Sequence, residues 1–243
     1  TTILLSTVPK ISVFIVFLKL YFIPFIGFKF VWSDILMFVG IASIIIGSIF
    51  ALTQNNIKRL LAYSAISNIG FIVLSLGLVT NDGLHASLYY TIVYSFTALA
   101  TFGIITHITS NSHGIENISD LAGLAKTHPY YAILILITML SSAGIPPLIG
   151  FHAKLVVIQT LINNSYIILS IIVVLMTVVS AYYYLRVVKT IYFEERENLI
   201  SSYTKNNIIL SLNVIMLVGL GIFPYVMFDL TNYITSLLTV ISI

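Results

Sequence analysis

Cysteine is absent from this chain of 243 residues, and charged residues are scarce. Without cysteine the chain can form no disulfide and can offer no thiolate to zinc or to an iron–sulfur cluster, so any such redox centre belongs to a partner. Charged residues make up 8% of the sequence and hydrophobic residues 59%, whereas soluble domains carry about 25% charged residues. This balance excludes an ordinary soluble domain and predicts a protein that crosses a membrane several times.

Motifs for soluble chemistry are also lacking. The sequence has no glycine-rich phosphate loop, no zinc-ligand spacing and no paired nucleophile and base. Its formal charge of +3 is spread over loops and helix ends, which argues against a nucleic-acid partner. The chain begins Thr1-Thr2-Ile3 without a signal sequence, so we expect that its start was removed or that it is one piece of a larger protein.

Long apolar runs separated by short turn segments predict about seven transmembrane helices. The runs do not alternate as barrel strands would, and backbone groups inside a bilayer must be satisfied within each segment. The predicted fold class is therefore all-α, a polytopic membrane helix bundle that forms a single transmembrane domain over residues 1–243. The predicted spans lie near residues 2–23, 33–53, 57–79, 83–107, 130–163, 166–192 and 207–240.

The fifth span is too long to be one helix, because about 34 residues would extend roughly 50 Å across a core of about 30 Å. Gly144, Pro146 and Pro147 interrupt it. Proline has no amide hydrogen and clashes with the preceding turn, so we predict one discontinuous helix with its break at 144–147. Unwound backbone at that depth is tolerated where it is buried in protein or lines a cavity.

Two lysines lie inside predicted spans, Lys154 after the break and Lys10 directly after Pro9. An ammonium at the centre of a membrane costs roughly 3 kcal/mol on insertion scales, so such residues tend to mark proton or ion paths. Lysine suits proton transfer because burial and neighbouring charges move its pKa readily. The alternative for Lys10 is a span that begins later, with the side chain reaching to the membrane surface.

Several polar residues could support a proton relay between these lysines. The fourth span carries Tyr90, Tyr94, Thr97 and, at its end, His107. These side chains could border a water path, although aromatic packing and an interfacial histidine explain them equally well. We interpret Tyr182–Arg186 as an aromatic belt closed by an arginine at the inner membrane surface.

Lysine and arginine fall mainly on one side of the predicted bundle, as expected for loops on the inner side of a membrane. We therefore expect the N-terminus inside and the C-terminus outside. The residues on the basic side are Lys58, Arg59, Lys126, Lys189, Arg196 and Lys205.

Four stretches together point to a family: 6–14 (STVPKISVF), 56–70 (NIKRLLAYSAISNIG), 144–154 (GIPPLIGFHAK) and 182–186 (YYYLR). In this order they resemble subunit 2 of mitochondrial NADH dehydrogenase, the antiporter-like membrane subunit of respiratory complex I. The resemblance covers nearly the whole chain. The tyrosine–leucine–arginine run favours this subunit over its two larger antiporter-like relatives.

The resemblance implies a fold of fourteen helices with two inverted repeats, of which this chain matches the second half. Residues 1–23 would be the last helix of the first repeat, 33–192 the second repeat and 207–240 the final helix. The glutamate and lysine pair of the first repeat has no match here. Either a split gene supplies the first-repeat helices as a separate polypeptide, or the first half-channel is lost.

By the same resemblance, Lys10 matches the central lysine and Lys154 the lysine of the second broken helix. Quinone reduction elsewhere would drive protons through them in an H⁺-translocating NADH:ubiquinone reductase. The chain itself would hold no catalytic residue, cofactor or metal, while NADH, FMN, iron–sulfur clusters and ubiquinone are expected in other subunits. Other membrane-arm subunits and lipid are the expected partners.

The expected location is the inner mitochondrial membrane, with the N-terminus in the matrix and the C-terminus in the intermembrane space. The sequence is rich in Ile, Phe, Tyr and Asn and poor in Ala, a bias that AT-rich codons of an organellar genome would produce. A subunit of a multisubunit cation/proton antiporter or of a membrane hydrogenase is the alternative function. A structural remnant that only bridges complex I subunits is another, and a seven-span receptor explains neither lysine nor the break.

Overall fold

The described parts of the chain are helical, as the sequence predicts for an all-α bundle. A computed structural model describes residues 12–18, 26–111, 116–195 and 207–241. Lys10 lies outside these residues, as does most of the first predicted span. The helices are α1 (12–18), α2 (Lys29–Leu52), α3 (Ile57–Leu76), α4 (Asn81–Asn111), α5 (Leu124–Thr127), α6 (Pro129–Ala143), α7 (Ile149–Asn163), α8 (Ile167–Phe193), α9 (Ile208–Ile222) and α10 (Tyr225–Ile241).

Four helices, α2, α3, α4 and α8, are long and apolar enough to cross a membrane, or five if the bent pair α9 and α10 counts as one. This count covers the described residues alone. The four begin and end within four residues of their predicted bounds. The predicted discontinuous helix is present as two shorter apolar helices, α6 and α7.

The end of the chain differs from the single final helix expected over 207–240. Two helices, α9 and α10, meet there at an angle of 87°. Pro224 lies at the bend and has no amide hydrogen to donate to the carbonyl of Leu220, so one hydrogen bond of a continuous helix is missing there. A new turn starts when the Met227 amide donates to the Pro224 carbonyl at 3.1 Å. The sequence did not predict this bend, because the apolar run continues past Pro224 and a membrane helix can tolerate a single proline.

Small residues let α2 and α3 pack closely. A Cβ atom added at Gly70 would lie 2.8 Å from the carbonyl oxygen of Gly40, and one added at Gly47 would lie 2.5 Å from the amide nitrogen of Ser67. The hydroxyls of Ser48 and Ser67 share a hydrogen bond of 2.9 Å across the same interface. Close backbone approach and hydroxyl bonds are the usual stabilisation between membrane helices, where lipid is as apolar as the side chains.

The hydroxyl-rich helix α4 lies centrally and contacts α3, α6, α7, α9 and α10. Its hydroxyls donate to carbonyls three or four residues earlier in the same helix, so they need no outside acceptor. This bonding explains how a helix with so many polar side chains remains stable in an apolar bundle. The donors are Ser87, Thr91, Ser95, Thr97, Thr101 and Thr106.

One end of the bundle is tied together by polar contacts around the α2–α3 turn. The Asn56 side chain caps α3 by accepting from the amides of Lys58 and Arg59. The Ile57 amide donates to the Glu116 carbonyl at 3.0 Å, which attaches residues 116–121 to the turn. At the same end Lys126 pairs with Glu195 and lowers the pKa of that carboxyl by hydrogen bonding and charge.

We expect Gly47→Ala and Gly70→Ala each to destabilise the protein by about 1–3 kcal/mol, because the new methyl group meets backbone that cannot move aside. Thermal unfolding of the purified protein in detergent measures this loss. Gly219→Ala is the matched control, since nothing lies within 4 Å of a Cβ atom there. Equal melting temperatures for the three variants would contradict close α2–α3 packing.

Candidate functional site

The break between α6 and α7 leaves backbone carbonyls without helical partners. In a continuous helix the Ala143 carbonyl would accept from residue 147, but Pro147 has no amide hydrogen. Gly144 ends α6 with φ of +83°, a left-handed conformation that side chains rarely adopt. Its amide and that of Ile145 both donate to the Leu140 carbonyl, at 3.2 and 3.1 Å. The Ala143 carbonyl therefore receives no hydrogen bond from these backbone amides, although it lies deep in the bundle.

Lys154 supplies the missing donor. Its Nζ donates to the Ala143 carbonyl at 3.0 Å and to the Ser180 hydroxyl at 3.0 Å. Ser180 must accept here, because its own hydrogen goes to the Thr177 carbonyl. The side chain is 6% exposed. The missing Cβ of Gly144 makes room for it, since a methyl group there would lie 2.9 Å from the lysine Cδ.

Both lysine acceptors are neutral. Among the described residues the salt bridges are Lys126–Glu195 and Lys189–Glu194, so no carboxylate there offsets the charge of Lys154. The ring of Phe71 lies 5.9 Å from Nζ and adds a weak attraction for a cation. An ammonium has three hydrogens and uses two of them in these bonds, which leaves one for another partner.

One small cavity borders this lysine, and a second small cavity shares part of its wall with the first. The first, of about 20 Å³, is bordered by Lys154, Ser141, Tyr90, Tyr94 and Asn68, among others. The second, also about 20 Å³, shares Tyr94 and Asn68 with the first and continues toward the end where α3 begins. Each is large enough for about one water molecule. Ser64, Thr101 and Tyr184 border the second cavity.

Asn68 joins the walls of both cavities. Its Oδ1 accepts from the Tyr90 hydroxyl at 2.8 Å, and its Nδ2 donates to the Ser64 carbonyl at 2.8 Å. The same Nδ2 lies 3.5 Å from the Tyr184 hydroxyl. A side chain from α3 thus bridges α4 and α8 beside the lysine.

The hydroxyls bordering the cavities mostly have their hydrogens engaged inside their own helices. Thr97 donates to Val93, Ser142 to Thr138 and Ser64 to Leu61. Their lone pairs are therefore what they offer to the cavities. Cavity walls rich in hydrogen-bond acceptors can stabilise an ammonium group, or water molecules whose hydrogens point toward the walls.

The structure brings Tyr90, Tyr94 and Thr97 to the first cavity together with Lys154. His107 lies ten residues beyond Thr97 on α4, about 15 Å away, and packs 5.4 Å from the Tyr131 ring. It borders neither cavity. Lys10 is outside the described residues, so its distance from Lys154 stays undetermined.

The tyrosine and arginine stretch 182–186 differs from the expected aromatic belt. Tyr183 and Tyr184 are buried at 1% and 2% exposure, while Tyr182 faces outward. Arg186 donates to the carbonyls of Leu52 and Gln54 and to the Asn55 side chain, so it also closes the end of α2. On a helix that crosses the bundle edge, consecutive tyrosines must face different directions.

Asn68, Ser141 and Ser180 were missed by sequence reasoning. Single polar residues within apolar helices give no spacing signal, and serines commonly bond their own helix. Within the described ranges the Ser141 hydroxyl is buried and has no hydrogen-bond partner, a feature that the sequence pattern does not show. In the same ranges no three His, Asp or Glu side chains are grouped to hold a metal ion.

A buried amine at a helix break, beside cavities of single-water size, is typical of membrane proteins that move protons or cations. Comparison with known proteins identifies the family. The profile described as NADH:quinone oxidoreductase/Mrp antiporter, TM, matches residues 1–180. The chain belongs to this family.

Curated relatives of this chain include bacterial NADH-quinone oxidoreductase subunits N. That of Ruthia magnifica is 41% identical over 225 residues, which cover 92% of this chain and 46% of the relative. That of Neisseria gonorrhoeae is 40% identical over 231 residues, covering 94% and 48%. The chain thus spans about half the length of the curated relatives it matches.

Solved structures show the same fold. A chain of the Mrp complex from Dietzia sp. superposes with a TM-score of 0.85 at 21% identity, covering 98% of this chain and 53% of that one. A chain of respiratory complex I from Thermus thermophilus gives a TM-score of 0.73 at 24% identity, covering 85% and 45%. The helix arrangement is therefore shared by respiratory and antiporter complexes.

We expect Ser180→Ala to destabilise the protein by about 1.5–3 kcal/mol, because it removes an acceptor from a buried ammonium. Ser170→Ala is the matched control, since Ser170 is also buried on α8 and also donates three residues back, to the Ile167 carbonyl. Thermal unfolding in detergent compares the two. Equal losses would show that Ser180 does not stabilise Lys154.

Proposed function

We propose that this chain is a proton-translocating membrane subunit of an NADH-quinone oxidoreductase and that Lys154 is one of its proton-carrying groups. The observation that carries the proposal is the buried Lys154 amine, held by two neutral acceptors beside a helix break. A charge at this depth is costly, and a neutral donor could satisfy the Ala143 carbonyl equally well, so an ionisable group here points to a functional role. Sequence identity of 35–41% to subunits N over most of the chain supports the assignment to this complex.

The proposed path leads from Lys154 through the two cavities toward the end where α3 begins. A water molecule in the first cavity would give the Ser141 hydroxyl a hydrogen-bond partner. A second would lie between Ser64, Thr101 and Tyr184. His107, further along α4 toward that end, would pass protons between this path and the surface.

Lys10 would be the second proton carrier, reached from Lys154 past Tyr94. Tyr94 supports this step because it borders the first cavity and also a larger apolar groove lined by Val13 and Phe14, a few residues after Lys10. The relay role of Lys10 otherwise rests on the resemblance of its sequence context.

The remaining assignments concern the assembly. We propose the inner mitochondrial membrane, on the strength of composition alone, with the N-terminus in the matrix and the C-terminus in the intermembrane space. The cations of the α3 start and the α8 end support that orientation, because inner loops collect Lys and Arg. Other membrane-arm subunits would surround the chain, and a separate polypeptide would supply the first-repeat helices.

We expect Lys154→Met and Lys154→Arg both to slow proton transfer at this site by about 10²-fold or more, which lowers the number of protons pumped per electron. Methionine keeps the volume and removes the charge. Arginine keeps the charge but holds its proton, since its pKa exceeds about 12. Proton uptake and NADH oxidation, measured together in vesicles containing the assembled complex, give the ratio.

Lys58→Met is the control, because Lys58 is an exposed cation at the start of α3. It should leave the ratio unchanged. A normal ratio in the Lys154→Arg variant would overturn the relay role, since an arginine at that position cannot release a proton on the timescale of turnover.

A cation/proton antiporter subunit is the second candidate. The high TM-score to the Mrp complex chain, over 98% of this chain, favours it. Sodium-for-proton exchange in vesicles without NADH would support this candidate. Dependence of proton movement on NADH oxidation would support the first.

A further inference from the structure

A polar pocket of about 470 Å³ opens at the end of α8, on the side of residues 118–119, away from Lys154. Arg186 and Lys189 contribute two cations to its lining, and Ser119 and Thr190 contribute hydroxyls. Glu194 is the one acidic residue among the lining side chains of the described chain. Nothing in the proposed proton path uses this pocket.

The position of the pocket along α8 places it at the level of the membrane surface. The helix starts at Ile167 after a polar turn, and Arg186 lies nineteen residues further, which is about 28 Å at 1.5 Å per residue. The hydrocarbon core is about 30 Å thick. Arg186 is therefore at the boundary between hydrocarbon and headgroups, and Lys189 is one turn beyond it.

A largely apolar face of α8 runs from the pocket lining toward the start of the helix and faces outward. Val178 is 64% exposed, Tyr182 63% and Leu185 43%. They lie three or four residues apart and so share one face of α8. A molecule bound between the two cations could extend an apolar tail along this face.

Both cations have donors that an anion could accept from. Arg186 uses Nη1 and Nη2 to bond the α2–α3 turn, but a guanidinium has five N–H donors, so at least two remain. The Lys189 ammonium is 70% exposed and lies 3.6 Å from the Glu194 carboxylate. An exposed pair of this kind contributes little to stability, so Lys189 can exchange it for another anion.

We propose that this pocket binds the headgroup of an anionic phospholipid. Two cations and one carboxylate give the pocket a net charge of +1, which matches the single charge of a phosphodiester. Arginine and lysine at a membrane surface are the common ligands of such headgroups. The hydroxyls of Ser119 and Thr190 add donors for phosphate oxygens, and the face of Val178, Tyr182 and Leu185 receives an acyl chain.

The test uses the assembled complex that contains this chain, reconstituted in vesicles of phosphatidylcholine with phosphatidylglycerol and then extracted in detergent. Native mass spectrometry counts the phosphatidylglycerol molecules that remain bound. We expect Lys189→Gln to weaken retention at this site by about fivefold, since each basic residue near an anionic surface contributes about that factor. Lys189→Glu should abolish it.

Lys58→Gln and Lys58→Glu are the matched controls, because they remove an exposed cation from the same end of the bundle outside the pocket. They should leave retention unchanged. Equal retention in the Lys189 and Lys58 variants would overturn the proposal. Competition by inorganic phosphate would overturn it as well, because a site for free phosphate needs no acyl chain. Melting temperatures verify that each variant is folded.

Retention of phosphatidylglycerol does not depend on proton transfer. The number of protons pumped per electron in the Lys189→Gln variant therefore tests the lipid site separately from the proton relay through Lys154. A loss of lipid with a normal ratio supports the lipid site on its own.

Discussion

The hydrogen bond from Lys154 to the Ala143 carbonyl is the contact on which the centre of the structure depends. Pro147 has no amide hydrogen to donate to this carbonyl, as residue 147 of a continuous helix would. Gly144 has a left-handed backbone conformation and no Cβ atom, so the lysine side chain fits against it. The break therefore creates both the acceptor and the space for the cation. A continuous helix here would satisfy the carbonyl internally and leave a buried ammonium with one neutral partner, which membrane energetics disfavour.

Helical hydroxyls extend this site without breaking further helices. Because serines and threonines on α3, α4 and α6 donate to their own backbones, the helices stay intact while oxygen lone pairs face the cavities. Acceptor-rich walls favour a cation or outward-pointing water hydrogens. Asn68 differs from these hydroxyls, because it bonds the Tyr90 hydroxyl and thus fixes α3 against α4. The cavity walls include hydroxyls that bond within their own helices and one side chain, Asn68, that joins neighbouring helices.

The sequence was sufficient for features with a strong local cause. Proline pairs break helices and long apolar runs cross membranes, so the α6–α7 break, the all-α class and the bounds of α2, α3, α4 and α8 were predictable. The bend at Pro224 was not, because a lone proline has several outcomes that packing decides. Asn68 and Ser180 could not be found either. Their roles depend on which helices meet, and no pattern within one helix encodes that.

Helix α8 links the features described above. Within less than three turns it carries Ser180, which holds Lys154, Tyr184, which borders the second cavity, and Arg186, which closes the α2–α3 turn. A helix behaves as a nearly rigid rod over this length, so a rotation at one end moves all three contacts together. Glycines at the α2–α3 interface let the two helices that flank this turn pack closely. The position of Ser180 beside Lys154 therefore depends partly on contacts at the membrane-surface end of α8. The lipid pocket and Arg186 lie in the last turns of this helix.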